Sequence, residues 1–414
     1  MTLKTIVTIG AGQTAAVAAR TLRRRGFDGK ILLIGDEPHA PYQRPPLSKE
    51  FLAGHDDRDS LILLPDAWRD KQNVELLTGT TVTRIDSSSA AVELSDGRSI
   101  AADAVLIATG GRARTMEVSG PAPERVHYLR TIGDAERLAA ELRPGTRLTL
   151  IGGGFVGLEI AATAVALGAE VTVLEADRVP LARILGPEMG EVCTRLQRQN
   201  GVTIRSGVRV TAIMTRPRDV HIALDGGEVV EADVVVVGIG IIPNVEVAQA
   251  SGLAVDGGIL VDAQGRTSSP NIYAAGDVAA RFSDAAGRHV RVEHFDNASK
   301  QGAATANLML GRAAVVDPAH WFWSDQFGKN IQFTGSSAQY THLVFRGRVE
   351  DGEFTAFYLD GGRVRGAFAL DRGEDMGAAR ELIGRSIAPA RLADEDIDLF
   401  DLMDEDDEKL VTLS

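Results

Sequence analysis

TIVTIGAGQTAAVAARTLRRRGFDGKILLIGDE, residues 5–37, is the stretch that decides the fold. Residues 5–9 form an apolar, β-branched run of the kind a buried parallel strand requires. A G-x-G-x-x-A turn follows, with Gly10, Gly12 and Ala15 at its fixed positions. The alanine-rich helical pattern after it ends at Gly26, a suitable C-terminal cap. Residues 31–34 are a second apolar strand, with Asp36 and Glu37 just beyond it. Gly10 permits the tight turn, Gly12 lets a pyrophosphate approach the backbone, and Ala15 keeps helix and strand close. The helix N-terminus attracts phosphate, and an acid after the second strand accepts hydrogen bonds from a ribose.

The pattern recurs in RLTLIGGGFVGLEIAATAVALGAEVTVLE, residues 147–175. Gly152, Gly154 and Gly157 give G-x-G-x-x-G, and Glu175 stands 23 residues after Gly152. A carboxylate there suits two ribose hydroxyls and repels a 2′-phosphate, which points to NAD rather than NADP. Arg178 and Arg183 follow and leave that preference open, since an arginine accommodates a 2′-phosphate. The bland alternative for Glu175 is a surface acid at a strand end. Two complete units in one chain imply two dinucleotides, and the natural pair is FAD as resident electron store and NADH as hydride donor.

Composition fits this reading. The chain has 414 residues, 44% apolar and 24% charged, as in an ordinary globular protein. No run approaches the roughly 20 apolar residues needed to span a bilayer. The formal charge of −13 disfavours non-specific nucleic-acid binding, which needs a basic face. Residues 394–408 hold ten acids and no base, so the remainder is nearly neutral and the charge sits in an acidic C-terminal tail that reads as solvated. The single cysteine, Cys193, excludes an intrachain disulfide and any cysteine-built zinc or iron–sulfur centre. A cytoplasmic protein is expected.

Further segments carry a resemblance. AVLIATG (104–110) and IYAAGD (272–277) with the first turn resemble the two-dinucleotide flavoprotein reductases of glutathione-reductase-like fold. PYQRPPLSKEFL (41–52), YLRTIGDA (128–135), VVVVGIGIIPN (234–244), RVEHFDNASKQG (291–302) and WFWSDQFG (321–328) resemble, more closely, the NADH-dependent ferredoxin reductases that serve cytochrome P450 and aromatic-ring dioxygenase systems. Rubredoxin reductases and apoptosis-inducing factor are related. The resemblance implies an α/β fold with two dinucleotide-binding, Rossmann-like domains, the NAD domain inserted in the FAD domain, and a C-terminal α+β domain. The expected boundaries are 1–112 and 233–318 for FAD, 113–232 for NAD, and 319–414 for the last domain. Alternating segments such as HLVFRGRV, FTAFYLD and RVRGAFAL independently read as antiparallel strands in that last part.

The resemblance also implies site residues. For FAD these are Gly10, Gly12, Ala15, Asp36, Glu37, Arg44, Pro45, Lys49, Val82, Arg130, Gly276, Asp277, Phe295 and Trp323. For NAD they are Gly152, Gly154, Gly157, Glu159 and Glu175. Asp277 takes the family's place on the ribityl chain, although a helix N-cap is the local alternative. Lys49 matches the lysine near flavin N5, and Glu159 the glutamate paired with it beside the nicotinamide; these two are the catalytic candidates. By local sequence alone Lys49 is a solvated lysine and Glu159 a first-turn acid favoured by the helix dipole. Trp321 and Trp323 read locally as core. No metal site is expected. Disulfide reductases of this fold carry a redox thiol pair after the first unit, and residues 38–52 have no cysteine. Electrons must therefore leave to an external acceptor. The expected partner is a [2Fe-2S] ferredoxin that feeds an oxygenase, docking on Arg281, Arg288, Arg291, Lys300 and Lys329; the expected state is a monomer or weak homodimer. A rubredoxin acceptor, or an NADH-binding flavoprotein that works through interaction, are the alternatives.

Overall fold

A computed structural model describes residues 3–283, 287–313 and 320–404. The chain divides into two compact units. The first comprises Met1–Pro45, Asp57–Arg112 and Ile241–Pro318, the second Pro46–Asp56, Ala113–Gly240 and Ala319–Ser414.

The first unit is built on a five-stranded parallel sheet. Its order is Ile272–Ala274, Ala104–Ile107, Thr5–Ile9, Lys30–Ile34, Val74–Leu77. Strand side chains alternate between the two faces. Ile6, Ile31, Leu33 and Leu106 pack with Ala15, Ala16, Ala18, Ala19 and Leu22 of helix Gln13–Arg24. Val7, Ile9, Leu32, Ile34, Val105 and Ile107 face the opposite core. Burial on both faces explains why these strands read as continuous apolar runs. The alanines remove bulk where the helix crosses the sheet.

The second unit holds a matching parallel sheet of Val126–His127, Val234–Val237, Arg147–Ile151, Glu170–Glu175 and Thr203–Ser206. Its C-terminal part is a five-stranded antiparallel sheet in the order Trp321–Gln326, Lys329–Gly335, Arg363–Leu370, Glu353–Asp360, His342–Arg348. Asp351 with Gly352, and Gly361 with Gly362, make the turns. Phe322, Phe333, Phe354 and Tyr358 of this sheet share one core with Leu158, Leu185 and Met189. No helix among the described residues is long and apolar enough to cross a membrane.

Two expectations need correcting. The boundary at 233 falls too early: Val234–Val237 hydrogen-bonds along Arg147–Ile151, so residues up to Gly240 belong to the second unit. Residues 46–56, expected within the FAD domain, also fold with the second unit. The acidic segment differs in part. Residues 405–408 lie outside the described residues; within 394–403 the acids are exposed, as expected of a solvated segment, but the backbone is docked. Leu399 and Leu402 are buried against Met376 and Leu382. The buried Arg346 guanidinium donates to the carbonyls of Asp394 and Ile397, the latter at 2.8 Å, and faces Asp375 at 3.7 Å. Apolar residues between the acids and a buried cation are what turn the segment inward.

Arg346→Met should therefore lower the unfolding free energy by about 2–3 kcal/mol, the scale of charge-assisted hydrogen bonds lost without replacement. Limited proteolysis should cut between residues 394 and 404 before it cuts elsewhere. A variant as stable and as protease-resistant as its parent would mean that the guanidinium does not hold this segment.

Candidate functional site

In the first unit, Gly10 has φ 101°, and a Cβ there would lie 2.2 Å from the Ala108 carbonyl oxygen. Only glycine turns the chain so close to the neighbouring strand. Gly12 caps helix Gln13–Arg24 with no side-chain partner for the first N–H groups, and no acid occupies the first turn. A Cβ at Gly12 would meet nothing within 4 Å. This is an open cradle of donors suited to a pyrophosphate. Ala15 is fully buried at the third position.

Asp36 is exposed. Glu37 is the acid built into a network: it accepts from the Tyr42 hydroxyl at 2.6 Å and from Arg44 at 2.6 Å. Arg44 also lies over the Tyr42 ring, 5.0 Å from its centroid. Burial alone would lower the Arg44 guanidinium, but Tyr42, Glu37 and Asp277 more than offset it and hold it above its ordinary value. Glu37, Arg44 and Asp277 are thus brought together. The N-cap reading of Asp277 fails, because a strand, Ala279–Ser283, follows it.

Gly276 donates to Gln301 Oε1 at 2.8 Å, and Gln13 Nε2 donates to Ser299 Oγ at 2.8 Å. A Cβ at Gly302 would lie 2.6 Å from the Thr14 carbonyl oxygen. Helix Phe295–Met309 is therefore pressed onto the first turn of helix Gln13–Arg24. Thr14, Ser299, Gln301 and Gly302 were not singled out from the sequence, although three of them lie in the quoted segment 291–302. Phe295 opens that helix, Val82 is a buried strand start, and Pro45 begins the turn Pro45–Ser48.

The second unit repeats the cradle. A Cβ at Gly152 would lie 2.4 Å from the Gly238 carbonyl oxygen, and one at Gly157 2.6 Å from that of Gly152. Gly154 caps helix Phe155–Ala166 without a side-chain bond, and space around it is open. Glu175 ends its strand with Oε2 accepting from the Gly153 N–H at 2.7 Å and Oε1 from the Asp177 N–H at 2.7 Å. A carboxylate has about four acceptor sites, so two remain for ribose hydroxyls.

Glu159 is buried in the apolar helix Phe155–Ala166, and a lone charge there would be costly. It is fully engaged. Ser48 donates to Oε2 at 2.5 Å, Ser324 donates to Oε1 at 2.6 Å, and Lys49 Nζ stands 3.4 Å from Oε1. Behind Ser324, Gln326 donates to its hydroxyl at 3.0 Å, and Gln197 donates to Gln326 at 2.8 Å. Burial pushes the Glu159 carboxyl up, while Lys49, Ser324 and Ser48 oppose the rise. Lys49 is also 3.6 Å from Asp325 and 5.8 Å from the Trp323 ring centroid. Trp323 stacks on Trp321 at 5.2 Å, half-buried rather than core. Arg130 lies on the turn before helix Ile132–Glu141, its N–H donating to Asp134. Lys49, Arg130 and Trp323 thus belong to the second unit, whereas the other expected FAD residues belong to the first.

Cys193 is wholly buried and its thiol is pushed up to about 12 by that burial, which leaves it unreactive. No group of three or more metal-ligating side chains occurs among the described residues. The expected basic docking patch is weaker than its sequence: Lys300 pairs with Asp296 at 2.7 Å, Lys329 with Asp371 at 2.6 Å, and Arg291 with Glu293. Arg288 is exposed and Arg281 half-buried.

Lys49→Met leaves the buried Glu159 without its cation, so its carboxyl should rise further. A raised acid binds more protons folded than unfolded, so its penalty grows as pH climbs from the ordinary carboxylate range toward the raised value. The destabilisation by Lys49→Met, measured by urea unfolding, should be about 1–2 kcal/mol larger at pH 8 than at pH 5. A difference that does not change with pH would show that Glu159 is not the group Lys49 neutralises.

The profile of the pyridine nucleotide-disulphide oxidoreductases matches residues 4–302, and that of the reductase C-terminal domain matches residues 321–403. The chain is 40% identical over 397 residues to rhodocoxin reductase of Rhodococcus erythropolis, covering 95% of this chain and 93% of that one. It is 41% identical over 411 residues to the ferredoxin–NAD(+) reductase component of the anthranilate 1,2-dioxygenase system of Burkholderia cepacia, covering 96% and 99%. Putidaredoxin reductase in its covalent complex with putidaredoxin superposes with a TM-score of 0.92 at 36% identity, covering 97% of this chain and 98% of that one. With both profiles matched in order and two relatives aligned end to end, this chain belongs to the pyridine nucleotide-disulphide oxidoreductase family.

Proposed function

We propose that the protein is an FAD-containing NADH:ferredoxin oxidoreductase whose acceptor is a [2Fe-2S] ferredoxin serving a P450 or a ring-hydroxylating oxygenase. The observation that carries this reading is the pair of open, uncapped dinucleotide cradles in one chain whose only thiol is buried. The ferredoxin reductases among its relatives support the choice of acceptor. One cradle is assigned to FAD because Glu37, Arg44 and Asp277 gather in the same unit. The other is assigned to NADH because Glu175 presents a fixed carboxylate at the strand end.

The chemistry that bound FAD would supply is acceptance of a hydride from NADH and release of electrons one at a time. The chain's own task is positioning and electrostatics. The Gly10–Ala15 turn would hold the pyrophosphate of FAD, with Glu37 on its ribose; the Gly152–Gly157 turn and Glu175 would hold NADH. Lys49 supplies a cation that Glu159 and Asp325 keep in one place. Ser48 and Ser324 fix both carboxylate oxygens, so the pair cannot swing freely. Hydride transfer needs no general acid or base, only alignment of the reacting atoms. The reaction belongs in the cytoplasm, with the protein acting as a monomer or weak homodimer.

Stopped-flow spectroscopy on the FAD-loaded protein tests the proposal. NADH should bleach the flavin bands, and an oxidised [2Fe-2S] ferredoxin should restore them at catalytic rates. Cys193→Ser should leave both phases unchanged. A protein that takes up no FAD would overturn the reading. A reduced form that ferredoxin does not reoxidise would favour the interaction reading, and preferential reoxidation by rubredoxin would change the acceptor.

A further inference from the structure

The turn after Glu175 contains a second acid that the dinucleotide site has not yet used. Asp177 is set beside Glu175 by its own N–H, which donates to Glu175 Oε1 at 2.7 Å. Its carboxylate grips Arg183 at two points, Oδ2 with Nε at 2.6 Å and Oδ1 with an Nη at 2.9 Å. Such a two-point pair satisfies the guanidinium geometrically as well as electrically. Arg183 also feels the charge of Glu175, so it lies within the field of the acid that would meet the ribose.

The backbone carrying Arg183 is itself fastened. The helix Ala182–Gln199 kinks at Gly186, where Tyr340 packs closely against the chain. Ser337 donates to the Ile184 carbonyl at 2.7 Å, and Tyr358 donates to the Leu185 carbonyl at 2.5 Å. The C-terminal sheet thereby holds the first helical turn in place, and with it the distance from Arg183 to Asp177.

We propose that Asp177 is a specificity-determining residue for the dinucleotide. By holding Arg183 in a two-point ion pair, it withholds the cation that a 2′-phosphate would require, and so favours NADH over NADPH. This rests on the reading that the Gly152–Glu175 cradle binds a pyridine dinucleotide. A 2′-hydroxyl is neutral and donates to Glu175. A 2′-phosphate would instead face the carboxylates of Glu175 and Asp177, with Arg183 already neutralised. Removing the Asp177 charge acts twice in the same direction: one repelling group disappears and one cation is released.

The test measures equilibrium binding to the FAD-loaded protein by calorimetry, with NAD+, NADP+, ADP and 2′,5′-ADP as probes. Asp177→Asn should bind NADP+ and 2′,5′-ADP roughly three- to tenfold tighter, the scale of exposed charge interactions. NAD+ and ADP should stay within about twofold, since that scale applies only to the added phosphate. The gain should shrink as salt rises, because the groups are exposed. Adding Arg183→Ala to Asp177→Asn should abolish most of the gain, whereas adding Arg178→Ala should not. A merely structural role for Asp177 would weaken all four probes together. Unchanged NADP+ binding in Asp177→Asn, or a gain that survives loss of Arg183, overturns the proposal. Failure of the parent protein to bind NAD+ at all would instead overturn the reading beneath it.

Discussion

A carboxylate buried in an apolar helix is the constraint around which the second unit is arranged. Glu159 cannot remain ionised in that position without partners, and the Thr163 hydroxyl of its own helix donates instead to the Ser48 carbonyl. Its partners come from sequence positions 48, 49 and 324, more than a hundred residues away on either side. That requirement explains why residues 46–56 fold with the second unit. It also ties the first strand of the C-terminal sheet to the helix of the second cradle. Gln326 and Gln197 extend the network to helix Ala182–Gln199, so three separate chain segments are locked by one acid. Breaking a buried pair of this kind is strongly destabilising, which makes the arrangement as much a folding determinant as a functional one.

The two cradles solve the same steric problem with the same device. Each first glycine bends the chain to within a Cβ's reach of a neighbouring carbonyl, at Ala108 in one unit and Gly238 in the other. They differ in how the acid beyond the second strand is held. Glu37 is anchored by side chains, Tyr42 and Arg44, whereas Glu175 is anchored by backbone N–H groups. Side-chain anchoring brings a cation and an aromatic ring to the first site. Backbone anchoring leaves the second site with carboxylate alone, and its neighbouring arginine goes to Asp177. The asymmetry fits a resident group in one unit and an exchanging one in the other.

Much of this was legible in the sequence. Both βαβ units, the glycine positions, Glu175 and the antiparallel character of the last part follow from local pattern, because steric demands at a turn and alternation on a strand are written residue by residue. Lys49 and Glu159 were named through resemblance, not through anything local; PLSKE reads as an exposed polar run until its partner is known. Thr14, Gln301 and Gly302 were missed because close packing of two helices leaves only small or amide residues as its trace. The exposure of the acids in 394–401 was legible, but the docking of their backbone was not, because ten acids among fifteen residues outweigh Leu399 and Leu402 and nothing near them in sequence announces Arg346.

The sequence by itself determined that the chain makes two dinucleotide turns, carries no usable redox thiol pair, and needs an acceptor outside itself. Those properties depend on residue identity and short spacing. Only the tertiary structure decided which unit owns Lys49, that Glu37 rather than Asp36 carries the first network, that Cys193 is sealed, and that Arg183 is already paired. Each of these is a matter of burial and of contacts between positions far apart in the chain. Such contacts are fixed by how the sheets and helices pack, and local pattern does not encode them.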